Sequence, residues 1–359
     1  MKLAIRAFVA AVGLATSAAL AQTAATPTGG VGPGNALGIA KEQVERQQTQ
    51  PGNNAPVWRQ VRSGMVSYTN LPRNEAGVLI ETGGEDWRRL RPGIATAGGG
   101  IIAVALVLLM AFYMVRGPIE VVRKPTGRYI RRFSKTERVA HWTMAISFVV
   151  LALTGLVLTF GKYFLIPVLG YTLFSWLATI TKYLHNFVGP IFAVVLPIFI
   201  AMYVRDNLPS GSDVKWIREL GGLRSPEGKF APSDKFNAGE KVYFWLLVCI
   251  ISVVLAVTGL IMDFPNFEQS RSLLRLVSTI HAIAALLGVA MVSFHIYLGT
   301  IGNKGAFAAM RYGYVDEAWA MEHSDVWYEE VKAGKAREKF ADQGGDEVPV
   351  QVRTAPLNR

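Results

Sequence analysis

Four histidines stand within apolar stretches of the chain: His141 in RVAHWTMAISF, His185 in KYLHNFVGP, and His281 and His295 in STIHAIAALLGVAMVSFHIYLG. Ionisable side chains are rare inside membranes and tend to mark function where they occur. Four imidazoles together exceed what stray interhelical hydrogen bonds account for. Fourteen residues advance a helix by about 21 Å and turn it through nearly four revolutions, so His281 and His295 share one face to within about 40°. One helix thus offers two imidazole positions stacked along its length, and imidazole is a metal ligand.

The elements that carry these residues read as membrane spans. The 359 residues are 51% hydrophobic and 18% charged, too apolar for an ordinary soluble protein. Apolar runs at about 97–115, 138–160, 185–204, 242–263 and 278–300 each approach the ~20 residues needed to cross a bilayer. The start, MKLAIRAFVAAVGLATSAALAQ, has Lys2 and Arg6, a short apolar stretch and a small-residue site ending at Ala21. It predicts a signal peptide over 1–21. Residues 22–96 are polar and form an extracytoplasmic extension, with a small ordered patch over 76–91 where a β-like run precedes a Gly-Gly turn. The stretch 163–183 is apolar but cut by Pro167 and Gly170, and reads as an interfacial or re-entrant element. Residues 116–330 form the main membrane domain, and 331–359 a polar cytoplasmic tail.

Charge sets the orientation. The connections 116–138 and 205–241 carry eight and seven Lys or Arg, against two each in 161–184 and 264–277. Five spans, with the amino terminus outside and the carboxyl terminus inside, satisfy that asymmetry. The same basic belts account for much of the excess of 37 Lys and Arg over 26 Asp and Glu, which removes the case for a nucleic-acid site. Cys249 is the one cysteine, so there is no disulfide framework, no iron–sulfur ligand cluster and no covalent haem motif.

With this topology His141 and His295 lie near the inner face, and His185 and His281 near the outer face. The pairs at equal depth are therefore His141 with His295 and His185 with His281. Zinc asks for four protein ligands, or three and an open position; a pair of imidazoles in an apolar bundle suits the axial positions of haem iron instead, and two filled axial positions suit electron transfer. The expected fold is an all-α membrane protein, a transmembrane helix bundle with a four-helix di-haem core plus one additional N-terminal span at 97–115. His323, in EHSDVWYEE, reads as a solvated residue of the polar tail.

The segments ERVAHWTMAISFVVLALTGL, KYLHNFVGP, YVRDNLP, KFNAGEKVYFW, IHAIAALLGVAMVSFHIYLG and GYVDEAWAMEHSDVWYEE fall within residues 128–330. In that order they resemble the gamma, or cytochrome b, subunit of respiratory membrane-bound formate dehydrogenase, within the di-haem membrane cytochromes b. The resemblance implies two b-type haems on His141, His185, His281 and His295, with menaquinone or ubiquinone as acceptor. It also implies a quinone site at Asn237, Gly239, Glu240 and His295, beside the inner haem. Family members often have glutamine where this chain has Glu240. Asn237 and Glu240 also read as the N-cap and first turn of a helix, and the two roles are compatible.

The implied function is electron transfer from catalytic (alpha) and iron–sulfur (beta) partner subunits across a bacterial inner membrane to quinone, with no residue of this chain acting on formate. The alternatives are a cytochrome b of another complex, such as nickel–iron hydrogenase or thiosulfate reductase, a transporter, or a membrane anchor. A transporter is expected to break its helices at mid-membrane, and an anchor has no need of four histidines.

Overall fold

The computed structural model describes Arg62 and residues 67–68, 78–80, 82–222, 231–265, 267, 269–344 and 347–353. The expected signal peptide, 1–21, and most of the extension lie outside them. The chain divides into two compact units, Met1–Gly100 with Pro265–Thr279, and Ile101–Phe264 with Ile280–Arg359.

In the first unit, β1 (Ser67–Tyr68) pairs antiparallel with β2 (Val78–Ile80), Ser67 opposite Ile80. The expected Gly-Gly turn does not form. Helix α1 (Thr82–Arg116) starts at Thr82 and takes in Gly83 and Gly84; glycine is tolerated at the start of a helix, and the long apolar run behind it propagates the helix backwards.

In the second unit, Ser134 opens α2 (Lys135–Phe164) with a capping box: its hydroxyl accepts the Glu137 N–H at 3.2 Å, and the Glu137 carboxylate accepts the Ser134 N–H at 2.7 Å. Helix α3 (Ile166–Tyr203) follows almost at once, broken only at Gly170, whose φ of +72° is open to glycine. Residues 163–183 thus belong to the end of α2 and the start of α3 and form no separate element. Pro167 sits in the first turn, where its missing N–H costs nothing, and the Phe174 ring packs on Gly161 of α2. From Tyr171 to Tyr203 the helix is about 50 Å long, longer than the ~30 Å hydrocarbon layer. The helix that carries the third apolar run thus starts well before residue 185.

A short helix α4 (Gly211–Arg218) lies in the next connection. Helix α5 (Ala238–Asp263) passes through π-helical geometry over Phe244–Ser252, and α6 (Arg271–Gly302) ends in it over Leu298–Gly302. Helices α1, α2, α3, α5 and α6 are the five long and apolar enough to cross a membrane, and the chain is a helical membrane bundle.

Beyond α6 the chain folds into a cap of α7 (Ala306–Tyr312), β4 (Tyr314–Asp316), α8 (Glu317–His323), α9 (Asp325–Lys332), α10 (Ala341–Gly344) and α11 (Val350–Arg353). Strand β4 pairs antiparallel with β3 (Tyr129–Arg131), Ile130 opposite Val315. Buried Asp316 accepts the N–H groups of Gly127 at 3.0 Å and Ala318 at 2.8 Å, and Glu322 accepts those of Val122 at 2.9 Å and Arg123 at 2.6 Å. The basic segment before α2 is thereby clamped to the segment after α6. The expected polar tail from residue 331 is in its described part a packed structure, with Val331, Phe340, Val348 and Val352 buried.

One ion cluster closes the cap. Buried Lys235 reaches Asp206 and Glu338 at 2.8 Å each and Glu137 at 3.5 Å, and Arg337 reaches Glu137 at 3.2 Å and Glu338 at 3.1 Å. Burial acts to raise the Glu338 carboxyl, but Lys235 first, then Arg337 and the Trp327 N–H, hold it below the ordinary glutamate value.

Candidate functional site

Four helices of the second unit converge on two histidine pairs. His185 of α3 faces His281 of α6 with ring centroids 6.3 Å apart. Each ring is met by a threonine from a neighbouring helix. Thr154 of α2 places Oγ1 2.7 Å from His185 Nδ1, and Thr258 of α5 places Oγ1 2.9 Å from His281 Nδ1. Both hydroxyls also bond the carbonyl one turn back, Val150 at 2.7 Å and Val254 at 2.6 Å, as threonine does inside helices. A glycine follows each threonine. A Cβ at Gly155 would lie 3.6 Å from His185 Cε1, and one at Gly259 3.4 Å from His281 Cε1, so the rings lie close against these helix surfaces.

The second pair is His141 of α2 and His295 of α6, centroids 6.1 Å apart. His141 meets Trp142 edge-on at 5.5 Å and Phe199 at 6.4 Å. Its Nδ1 is buried with no hydrogen-bond partner among the described residues. His295 is stacked on Tyr243 of α5, centroids 4.8 Å apart and planes 17° from parallel. Between the two pairs lies an apolar layer of buried side chains, Phe148, Phe192, Leu196, Leu247 and Ile251. Gly288 stands seven residues from either histidine of α6 and brings that helix to Phe148 and Ile251.

A metal–imidazole bond is about 2.0–2.1 Å, so two rings on opposite sides of one ion have centroids roughly 6 Å apart. Both pairs meet that spacing. Among the described residues no three His, Cys, Asp or Glu side chains gather as a metal site, so the remaining donors to such an ion would come from the ligand itself, as in a porphyrin. The residues present fit haem iron held by His185 with His281 and by His141 with His295.

The Asn–Ala–Gly–Glu segment folds as a helix start. Asn237 Oδ1 accepts the Glu240 N–H, and the Glu240 carboxylate accepts the Asn237 N–H, both at 2.9 Å. Gly239 is demanded by packing, since a Cβ there would stand 2.8 Å from Trp216 Cη2 of α4. Tyr243, one turn beyond Glu240, joins this segment to His295. Arg132 is buried nearby. Its guanidinium donates to the Lys235 carbonyl, lies 3.9 Å from the Glu240 carboxylate and rests over the Trp319 ring at 4.8 Å; burial draws it below the usual arginine range.

His323 is not a solvated surface residue. It is stacked on Trp319 with centroids 4.7 Å apart and planes 3° from parallel, and its Nδ1–H donates to the Trp319 carbonyl at 3.3 Å. Burial pushes its imidazole down to about 4.

Thr154, Thr258, Tyr243 and Arg132 escape a search for ionisable residues in apolar runs. The threonines had a signal, the shared segment LALTGL at 151–156 and LAVTGL at 255–260.

Five apolar helices, four of which bring two histidine pairs together in layers, define a polytopic membrane protein of the cytochrome b type. The chain belongs to the prokaryotic cytochrome b561 family, which matches residues 132–313; membership implies b-type haem. It is 30% identical over 227 residues to the nitrate-inducible formate dehydrogenase cytochrome b556(Fdn) subunit of Escherichia coli K12, covering 61% of this chain and 98% of that one. It is also 30% identical over 221 residues to the formate dehydrogenase cytochrome b556(fdo) subunit of the same organism, covering 59% and 97%. The formate dehydrogenase cytochrome b556 subunit of Haemophilus influenzae is 27% identical over 228 residues, covering 61% and 90%.

Proposed function

We propose that this chain is the membrane cytochrome b subunit of a formate dehydrogenase in a bacterial inner membrane. It accepts electrons from the complex's iron–sulfur subunit at the outer face and delivers them to quinone at the cytoplasmic face. The observation that carries the reading is the pair of imidazole separations, 6.3 and 6.1 Å, set one above the other along α6. Haem iron held by His185 with His281 and by His141 with His295 would supply one-electron transfer. The formate dehydrogenase cytochrome b relatives support a place in such a complex, the resemblance implies its catalytic and iron–sulfur subunits as partners, and the lysine and arginine asymmetry supports the orientation.

The protein's own part is positional. His185 and His281 hold one site toward the outer face, His141 and His295 the other toward the cytoplasm, and the apolar layer between them excludes water from the path. The quinone site lies at Asn237, Gly239 and Glu240, with His295 reached through Tyr243. The Glu240 side chain is 46% exposed and stands where a proton from the cytoplasmic water can reach a reduced quinone oxygen. Proton uptake there, with formate oxidised on the other side, separates charge across the membrane.

The test is purification of the complex through this chain, followed by formate addition. The expected result is co-purification of a formate-oxidising subunit, bleaching of oxidised b-type absorbance by formate, and reduction of added quinone. A complex that oxidises hydrogen or reduces thiosulfate and does not respond to formate assigns the chain to a different respiratory complex.

A further inference from the structure

The segments VVLALTGLVLTF at 149–160 and VVLAVTGLIMDF at 253–264 are identical at eight of twelve positions. They lie on different helices, α2 and α5, yet serve the same histidine pair. Thr154 contacts His185 Nδ1 at 2.7 Å and Thr258 contacts His281 Nδ1 at 2.9 Å. A hydroxyl has one proton and two acceptor positions. In each threonine that proton is directed to the carbonyl one turn back, Val150 at 2.7 Å or Val254 at 2.6 Å. Each Oγ1 is therefore left to accept from an imidazole Nδ1–H. The ring proton is thereby kept on Nδ1, the Nε2 lone pair is kept bare for iron, and the ring is held at a set rotation. The His141–His295 pair is built otherwise, for the buried His141 Nδ1 has no hydrogen-bond partner among the described residues.

A hydrogen bond accepted from the distal N–H makes an imidazole a stronger donor to its metal, and a stronger donor favours ferric over ferrous iron. We infer that Thr154 and Thr258 are positioning residues that set the tautomer and rotation of His185 and His281, and so hold the haem of that pair at a lower midpoint potential than the haem of His141 and His295. This rests on the di-haem reading. It gives electrons a downhill step from the outer pair to the inner one, written into one duplicated threonine.

The test is a redox titration of the purified complex, with ferric low-spin spectra, for wild type, Thr154→Val, Thr258→Val, the double variant, Thr154→Ser and Thr258→Ser. The two haem signals are assigned by the one that vanishes in His185→Ala. The expected result is that each valine variant keeps both haems and raises the potential of the His185–His281 haem alone. The rise corresponds to about a tenfold change in its reduced-to-oxidised ratio, 59 mV for a one-electron couple. The serine variants stay at the wild-type value. Should the double variant not assemble, the single variants carry the test. An unmoved potential in the valine variants, an equal shift of both haems, or serine behaving like valine overturns the inference. A wild type with fewer than two haems instead overturns the di-haem reading, and the two failures are distinct.

Discussion

Tyr243 and His295 are stacked, ring centroids 4.8 Å apart and planes 17° from parallel. This contact couples the turn that starts at Asn237 to a histidine of the His141–His295 pair. The stack is worth roughly 0.5–1.5 kcal/mol beyond the area it buries, and it holds the face of the His295 ring.

Tyr243 therefore matters for its ring and not for its hydroxyl. Tyr243→Phe is expected to leave the spectrum of the His141–His295 haem and quinone reduction near wild type, and Tyr243→Ala to perturb both while the His185–His281 haem is unchanged. A phenylalanine variant as impaired as the alanine one would transfer the role to the hydroxyl.

Gly239 is where packing and function can be separated. A Cβ there would stand 2.8 Å from the Trp216 ring, and overpacking of this kind costs about 1–3 kcal/mol. Gly239→Ala is expected to lower the thermal midpoint, and Trp216→Leu in the same chain to restore it. If quinone reduction returns together with stability, the glycine acts through the fold; if stability returns alone, it acts on the quinone.

Lys235 joins three carboxylates, Glu137, Asp206 and Glu338, with its own side chain only 6% exposed. Removing one partner from a buried charge cluster typically costs 3–5 kcal/mol. Lys235→Met is expected to destabilise the cap by about 3 kcal/mol, measured as faster amide exchange in α8 and α9, with both haems still bound. Exchange at the wild-type rate would show that Arg337 alone neutralises the cluster.

His323 makes the cap sensitive to acid. Its imidazole titrates at 6.5 when solvated and at about 4 in the fold, so the folded state favours the neutral ring. The contribution is complete above pH 6.5, declines as the unfolded chain alone binds the proton, and is gone once pH falls through about 4. The full change is on the order of 3 kcal/mol. Protection of α8 should fall over that interval, and His323→Phe should flatten the dependence; an equal slope in the variant would place the acid response elsewhere.

The histidine pairs were legible because an imidazole in an apolar helix is conspicuous and because helix rise and topology assign depth. The threonines were not, since a threonine in such a helix ordinarily bonds its own preceding turn, and only the repeated LAxTGL segment marks these two. Pro167 and Gly170 look alike in sequence and differ in the fold. Both are breakers in composition, but Pro167 occupies a first turn and only Gly170 bends the chain. The cap was hidden by distance in sequence. Its clamps run from Val122 and Arg123 to Glu322 and from Gly127 to Asp316, and no local pattern joins positions so far apart. Phe340, in REKFADQ, is isolated among charges and becomes core only when the chain returns.

The most direct measurement is the haem-to-protein ratio, with reduced-minus-oxidised spectra, on the purified complex of wild type, His141→Ala and His185→Ala. Two b-type haems per chain are expected in wild type and one in each variant, the remaining haem differing between them. A ratio that neither substitution lowers would contradict the assignment of these histidines as the ligands.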